Sequence, residues 1–188
     1  MTPPRLVLDL EAVRHNAIAW RERLGERELW AVVKSDGYGC GAIEVARACL
    51  SGGASRLVVF DVAEAKALRG AGVRAPVVQV FAARGDDLRA AIALGVTPTV
   101  DDEAGARELS AFGDWRGRRI AAHVAVDTGT GWSGVASVRS GEFARAVRGL
   151  PGIAWEGVWT HIASEASMDA QMRAFAGAVA ALRAEGLS

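Results

Sequence analysis

Six short apolar runs, rich in β-branched residues, alternate with helical stretches along this chain. That alternation limits the available folds more than any other feature. The runs fall at 29–33, 57–60, 77–81, 97–100, 120–126 and 157–160. Each is nearly continuous in apolar character rather than alternating, as expected of strands covered on both faces. Between them lie stretches with helical spacing. Asp61 reads as the N-cap of a helix over 62–68 that Gly70 stops, and Asp101 as the cap of one ending near Leu109. Residues 41–50 and 86–94 also read as helices, and Met172, Phe175, Val179 and Leu182 make a stripe on a last one.

Strand-helix alternation predicts parallel βαβ units, closed either as a doubly wound sheet or as a (β/α)₈ barrel. A dinucleotide-binding sheet places G-x-G-x-x-G after its first strand. Gly37, Gly39 and Gly41 have a different spacing, so the barrel is the expectation. A closed barrel has eight strands and about 250 residues. Six strands in 188 residues predict a partial barrel, about six of eight strand-helix units. Residues 1–188 are expected to form one domain, incomplete at its C-terminal end, with no β domain after it. Ahead of the first barrel strand, 5–8 reads as a short strand. Asp9 reads as the cap of a helix carrying Leu10, Val13, Ala17, Trp20 and Leu24.

The charges balance, with 22 Lys+Arg against 22 Asp+Glu, which gives no electrostatic case for nucleic acid or an anionic membrane. No apolar run approaches the ~20 residues of a membrane span, and Met1-Thr2-Pro3-Pro4-Arg5 does not open a signal peptide. A cytoplasmic location is expected. Cys40 and Cys49 are too few for a cysteine-rich zinc site, and no metal is expected. Cys49 reads as helix packing and Cys40 as a loop bystander.

The segment from Val32 to Gly41, V-V-K-S-D-G-Y-G-C-G, carries the chemistry. Lys34 ends a buried strand, and the C-terminal strand ends form the active-site face of a barrel. Partial desolvation favours the neutral amine, which can attack an aldehyde and form a Schiff base. The glycines let backbone approach a bound group. A surface lysine after a strand is the bland alternative.

Residues 34–41 resemble the cofactor-lysine motif of the alanine racemase family, K-A-[DN]-A-Y-G-H-G, at the lysine, Asp36, Tyr38, Gly39 and Gly41. Four more segments are similar to that family in the same order. They are the opening from Leu8 to Asn16, Glu64-Ala65 with Leu68-Arg69 and Ala71-Gly72, Val126-Asp127-Thr128-Gly129, and Thr160-His161-Ile162-Ala163. The resemblance implies a barrel of PLP fold type III and pyridoxal 5'-phosphate (PLP) as cofactor. It also implies interconversion of L- and D-alanine for cell-wall D-amino acid supply. It assigns Lys34 as the catalytic, cofactor-bearing lysine, Tyr38 to the cofactor phosphate and His161 to the side of the pyridine ring. It implies a small amino-acid substrate and a homodimer, with a tyrosine of the partner's β domain as second base.

Two positions depart from the family. Trp132 stands where its arginine would contact the cofactor and the substrate carboxylate, and one indole donor cannot replace a bidentate cation. Ala125 stands where many members carry a lysine supporting that arginine. The expectation is a chain with little racemase activity on its own. Competing readings are a PLP-barrel decarboxylase or PLP carrier, and a degenerate domain that aggregates or dimerises through exposed strand edges. A third takes Asp127-Thr128-Gly129-Thr130 as an aspartic-protease triplet, which needs a second carboxylate and a mostly β fold.

Overall fold

The structure is a computed structural model that describes residues 6–187. The chain divides into two compact units. One runs up to Gln79 and takes in residues 94–96; the other comprises residues 80–93 and the chain from Thr97 onward.

In the first unit, α1 (Leu10–Leu24) starts where expected, because the Asp9 carboxylate accepts from the N–H groups of Glu11 and Ala12 at 3.0 Å. Its expected apolar stripe is not buried as a whole. Ala17 alone is fully buried, while Leu10 and Trp20 are exposed. The reason is a close crossing over small residues. A Cβ on Gly52, just past α2 (Ala42–Ser51), would stand 2.6 Å from both the Ala17 Cβ and the Arg14 carbonyl. The expected leading strand is not formed at Leu6, Val7 and Leu8, and residue 5 lies outside the described residues.

Strands β1 (Trp30–Val32), β2 (Arg56–Val59), β3 (Val77–Gln79) and β4 (Val96–Thr97) form one sheet in chain order, with β1–β2 and β2–β3 parallel. Leu57, Val58, Val59, Val77 and Val78 are buried, as near-continuous apolar runs require. Helix α3 (Val62–Gly70) has Asp61 as its N-cap, accepting from Glu64 N–H at 3.0 Å. It ends at Gly70, as expected, two residues past Leu68. The chain turns at Gly72, at φ 81°, and Arg69 ties that turn down by donating to the carbonyls of Val73, Ala75, Leu94 and Gly95. Cys49 lies half-buried in α2, where burial pushes its thiol up, as a packing role implies.

The second unit has β5 (Thr99–Val100), β6 (Ile120–Asp127) and β8 (Ile153–Trp159) in chain order and parallel, with β7 (Val135–Ala136) added at the end of β6. The 97–100 run is two strands because Pro98 has no N–H to give a ladder. Helices α4 (Gly85–Ala93), α5 (Glu103–Trp115), α6 (Ser140–Val147) and α7 (Met168–Ala184) lie along this part of the chain. Leu88, Leu109, Val124, Phe143, Val147, Ile153 and Leu182 share its core.

Three local expectations change here. Asp102, not Asp101, caps α5 by accepting from Gly105 N–H at 2.7 Å, which leaves Asp101 for other partners. The last strand starts at Ile153, four residues earlier than the apolar run suggests. Its register with β6 shifts at His123, where a Cβ on Gly157 would stand 3.0 Å from the buried imidazole. The stripe of α7 is rotated: Gln171, Ala178 and Leu182 are buried and Met172 is half exposed.

In the first sheet β1 to β4 lie in chain order, and in the second β5, β6 and β8 do, with the short β7 also set on β6, so the order does not reverse. A doubly wound sheet needs such a reversal; a barrel does not. Among the described residues no helix is long and apolar enough to cross a membrane.

Candidate active site

Lys34 follows the end of β1, and Val33, buried before it, donates its N–H to the Val58 carbonyl at 2.9 Å. The backbone then does something the residue types do not announce. Ser35, Asp36, Gly37 and Tyr38 all have φ between 53° and 61° and ψ between 37° and 49°, making one turn of left-handed helix. Left-handed backbone costs an L-residue about 1–2 kcal/mol, and three of these four carry a side chain. Strain of this kind persists only where its surroundings over-determine it.

Backbone and carboxylate hydrogen bonds hold the turn. Gly37 N–H donates to the Val33 carbonyl at 2.9 Å, and Gly41 N–H to the Asp36 carbonyl at 2.9 Å. Asp36 Oδ1 accepts from Ala42 N–H at 2.8 Å, at the start of α2. Glu64 Oε1 accepts from Ser35 N–H at 2.6 Å. Gly37 is buried, and a Cβ there would press on the Ala42 backbone at 3.3 Å. Tyr38 is 64% exposed, so its phenol is held out of the core, and Lys34 is half-buried.

In the second unit the loops after β6 and β8 are joined by neutral side chains. Thr128 and Thr160 share a hydroxyl hydrogen bond of 2.8 Å, and Thr160 also donates to the Val126 carbonyl at 2.8 Å. Gln171 is 3% exposed and satisfies both ends of its amide. Its NH₂ donates to Thr128 Oγ1 at 3.0 Å and to the His161 carbonyl at 2.8 Å. Its oxygen accepts from Ala163 N–H at 2.9 Å and Ser167 Oγ at 2.8 Å. His161 itself is exposed, just past the end of β8.

The Asp127 carboxylate is consumed by its own loop. It accepts from the N–H groups of Gly129 at 2.9 Å and Thr130 at 2.8 Å, with Gly131 and the Thr130 hydroxyl completing the turn. These donors, Gly129 first, hold its carboxyl below the usual carboxylate range although burial pulls the other way. Trp132 follows in this loop, 43% exposed, and Ala125 is buried within β6. Ser133 Oγ donates to Asp101 at 3.0 Å, and Arg84 donates to Asp101 at 2.7 Å and Asp102 at 2.9 Å.

The structure therefore places Lys34 with Tyr38 on one turn, and ties the His161 loop to the Asp127 loop. Sequence reading gave no role to Glu64, Gln171 or the Arg84–Asp101–Ser133 chain. The available signals were a glutamate in the first turn of a helix and a glutamine on an apolar stripe.

The family described as "Alanine racemase, N-terminal domain" matches residues 8–188. The chain belongs to the alanine racemase family. An alanine racemase of Desulforamulus reducens is 39% identical over 164 residues, covering 86% of this chain and 44% of the relative. One from Syntrophobacter fumaroxidans is 38% identical over 188 residues, covering 96% of this chain and 50% of the relative. The solved alanine racemase of D-cycloserine-producing Streptomyces lavendulae superposes with a TM-score of 0.88 at 31% identity, covering 100% of this chain and 52% of that one. That of Corynebacterium glutamicum gives 0.85 at 31%, covering 96% and 52%. The chain thus spans about half the length of the relatives it matches.

The fold class of the alanine racemase N-terminal domain is an α/β, PLP-binding barrel, and the parallel sheets described above are part of one. The aspartic-protease reading of Asp127-Thr128-Gly129 is overturned. The triplet lies at the end of a parallel strand in an α/β unit, with its carboxylate engaged by backbone N–H groups.

Proposed function

We propose that this chain carries the cofactor-lysine part of a PLP-dependent amino-acid racemase acting on alanine, with Lys34 as the residue that holds PLP. The observation that carries this reading is Lys34 at the head of a left-handed turn after a buried parallel strand, in a chain of this family. The residues fit the group chemically. Lys34 offers a primary amine, and Tyr38 an outward phenol able to donate to a phosphate. Gly39, at φ 81°, has no atom within 4 Å of where a Cβ would be, so backbone there can come close to a ligand. When bound, PLP would supply the electron sink that makes the α-proton of an amino acid removable.

The Lys34 amine would bind the aldehyde and take or return the α-proton on its side of the substrate. By family resemblance, Tyr38 binds the phosphate and His161 lies beside the pyridine ring. Trp132 supplies no cation where the family arginine meets the substrate carboxylate, so carboxylate binding is weakened. On this reading residues 1–188 form one barrel-type domain of a cytoplasmic, homodimeric enzyme serving D-alanine supply. The 188 residues alone racemise alanine little, because the second base is a tyrosine of the family's β domain.

Trp132 favours a second reading, a PLP-binding domain without racemase turnover. One experiment addresses both. The chain is mixed with PLP, reduced with borohydride and mapped by peptide mass spectrometry, alongside Lys34→Ala. Label on Lys34, absent from the variant, is expected; label on another residue, or none, overturns the assignment. Alanine racemisation at rates typical of an enzyme would overturn the expectation of low activity.

A further inference from the structure

Glu64 is the residue that local helix chemistry does not explain. At the third position of a helix, a glutamate ordinarily reaches back to the N–H of its own cap residue. Here the cap is Asp61, but Glu64 Oε2 takes the N–H of Phe60, one residue earlier, at 2.7 Å. Its other oxygen reaches 29 residues back along the chain to Ser35 N–H at 2.6 Å. Both bonds are short, and each gives a backbone N–H a carboxylate oxygen as its acceptor. One half-buried carboxylate therefore clamps the backbone just past β1 to the backbone just past β2.

The clamped amide is the one joining Lys34 to Ser35. Ser35 is also the first residue of the left-handed turn, at φ 54°. The first N–H groups of any helical turn lack partners within it, and a left-handed turn adds backbone strain. Val33 and Asp36 bind the later part of the turn, through Gly37, Gly41 and Ala42. Glu64 takes the N–H of its first peptide plane.

We propose that Glu64 is a positioning residue for Lys34: its carboxylate fixes the Lys34–Ser35 peptide and so aims the amine. The function assigned to that amine rests on the PLP reading above, whereas the clamp does not. The test uses the 188-residue chain with Glu64→Gln and Glu64→Ala. Glutamine keeps the shape but has one acceptor oxygen for two N–H donors, so it serves as the milder variant if alanine impairs folding.

The first measurement is amide hydrogen exchange by mass spectrometry. The segment 33–41 is expected to exchange about tenfold faster in Glu64→Gln, with β3 unchanged. Exchange equal to the parent overturns the clamp. The second is borohydride trapping of PLP on Lys34 at limiting PLP, expected to fall several-fold in the variant. Trapping unchanged while exchange accelerates overturns the positioning role. If the parent chain itself takes no label on Lys34, the PLP reading fails. The exchange result then still decides whether Glu64 holds the turn.

Discussion

The turn after β1 and the loops after β6 and β8 both lie at the C-terminal ends of parallel strands, yet they are held in opposite ways. The turn at Lys34 is backbone strain under a charged clamp, with three side-chain-bearing residues at positive φ and the Glu64 carboxylate on the first amide. The loops bearing Thr128 and His161 have relaxed backbone at their non-glycine residues and a neutral network centred on Gln171. The contrast teaches that strain in this molecule is concentrated where the candidate reactive amine sits, as functional sites tend to concentrate it.

The largest expected effect tests the neutral network. Gln171→Leu leaves the Ala163 N–H, the His161 carbonyl and the Thr128 hydroxyl without that partner. It should cost about 3 kcal/mol in urea unfolding, since buried polar groups lose their partners. Amide exchange should rise at 128–131 and 160–164 and stay unchanged at 33–41. An equal rise at 33–41 would break the contrast between the two regions.

Next comes Gly37→Ala, which puts a Cβ against the Ala42 backbone at positive φ and should destabilise by about 2 kcal/mol. Ser35→Gly sharpens the comparison in the other direction. Removing the Cβ relieves left-handed strain, partly offset by glycine's greater entropy loss, so stability should rise by up to about 1 kcal/mol. A fall in stability would mean that Ser35 is not strained.

The smallest effect is in pH. Asp127 has a folded value below its unfolded one, so its stabilisation is complete above the ordinary value of about 3.9. It disappears as the pH falls through the lower folded value. The stability gap between the parent chain and Asp127→Asn, under about 1 kcal/mol for so solvated a group, should therefore close in acid. A gap that persists at low pH would show that the turn owes nothing to that charge.

Much of the architecture is legible in the residues. All six apolar runs contain strand, Asp9 and Asp61 cap helices, and Lys34 stands at a strand end. The misses share a cause, which is that a contact from distant residues overrode a local signal. Asp101 looks like a cap but is drawn to Arg84 and Ser133, so Asp102 caps instead. Met172 looks like core, but α7 rotates to bury Gln171, whose four partners make a polar group acceptable inside.

The linear order of residues determined the strand-helix rhythm, the family and the place of the lysine, because burial periodicity and motif spacing are properties of neighbours along the chain. Only tertiary structure decided the hand of the turn at Ser35, Asp36 and Tyr38. Their intrinsic preference opposes that conformation, and beside the local acceptors Val33 and Asp36 it is held by a carboxylate that folding brings in from 29 residues away, Glu64.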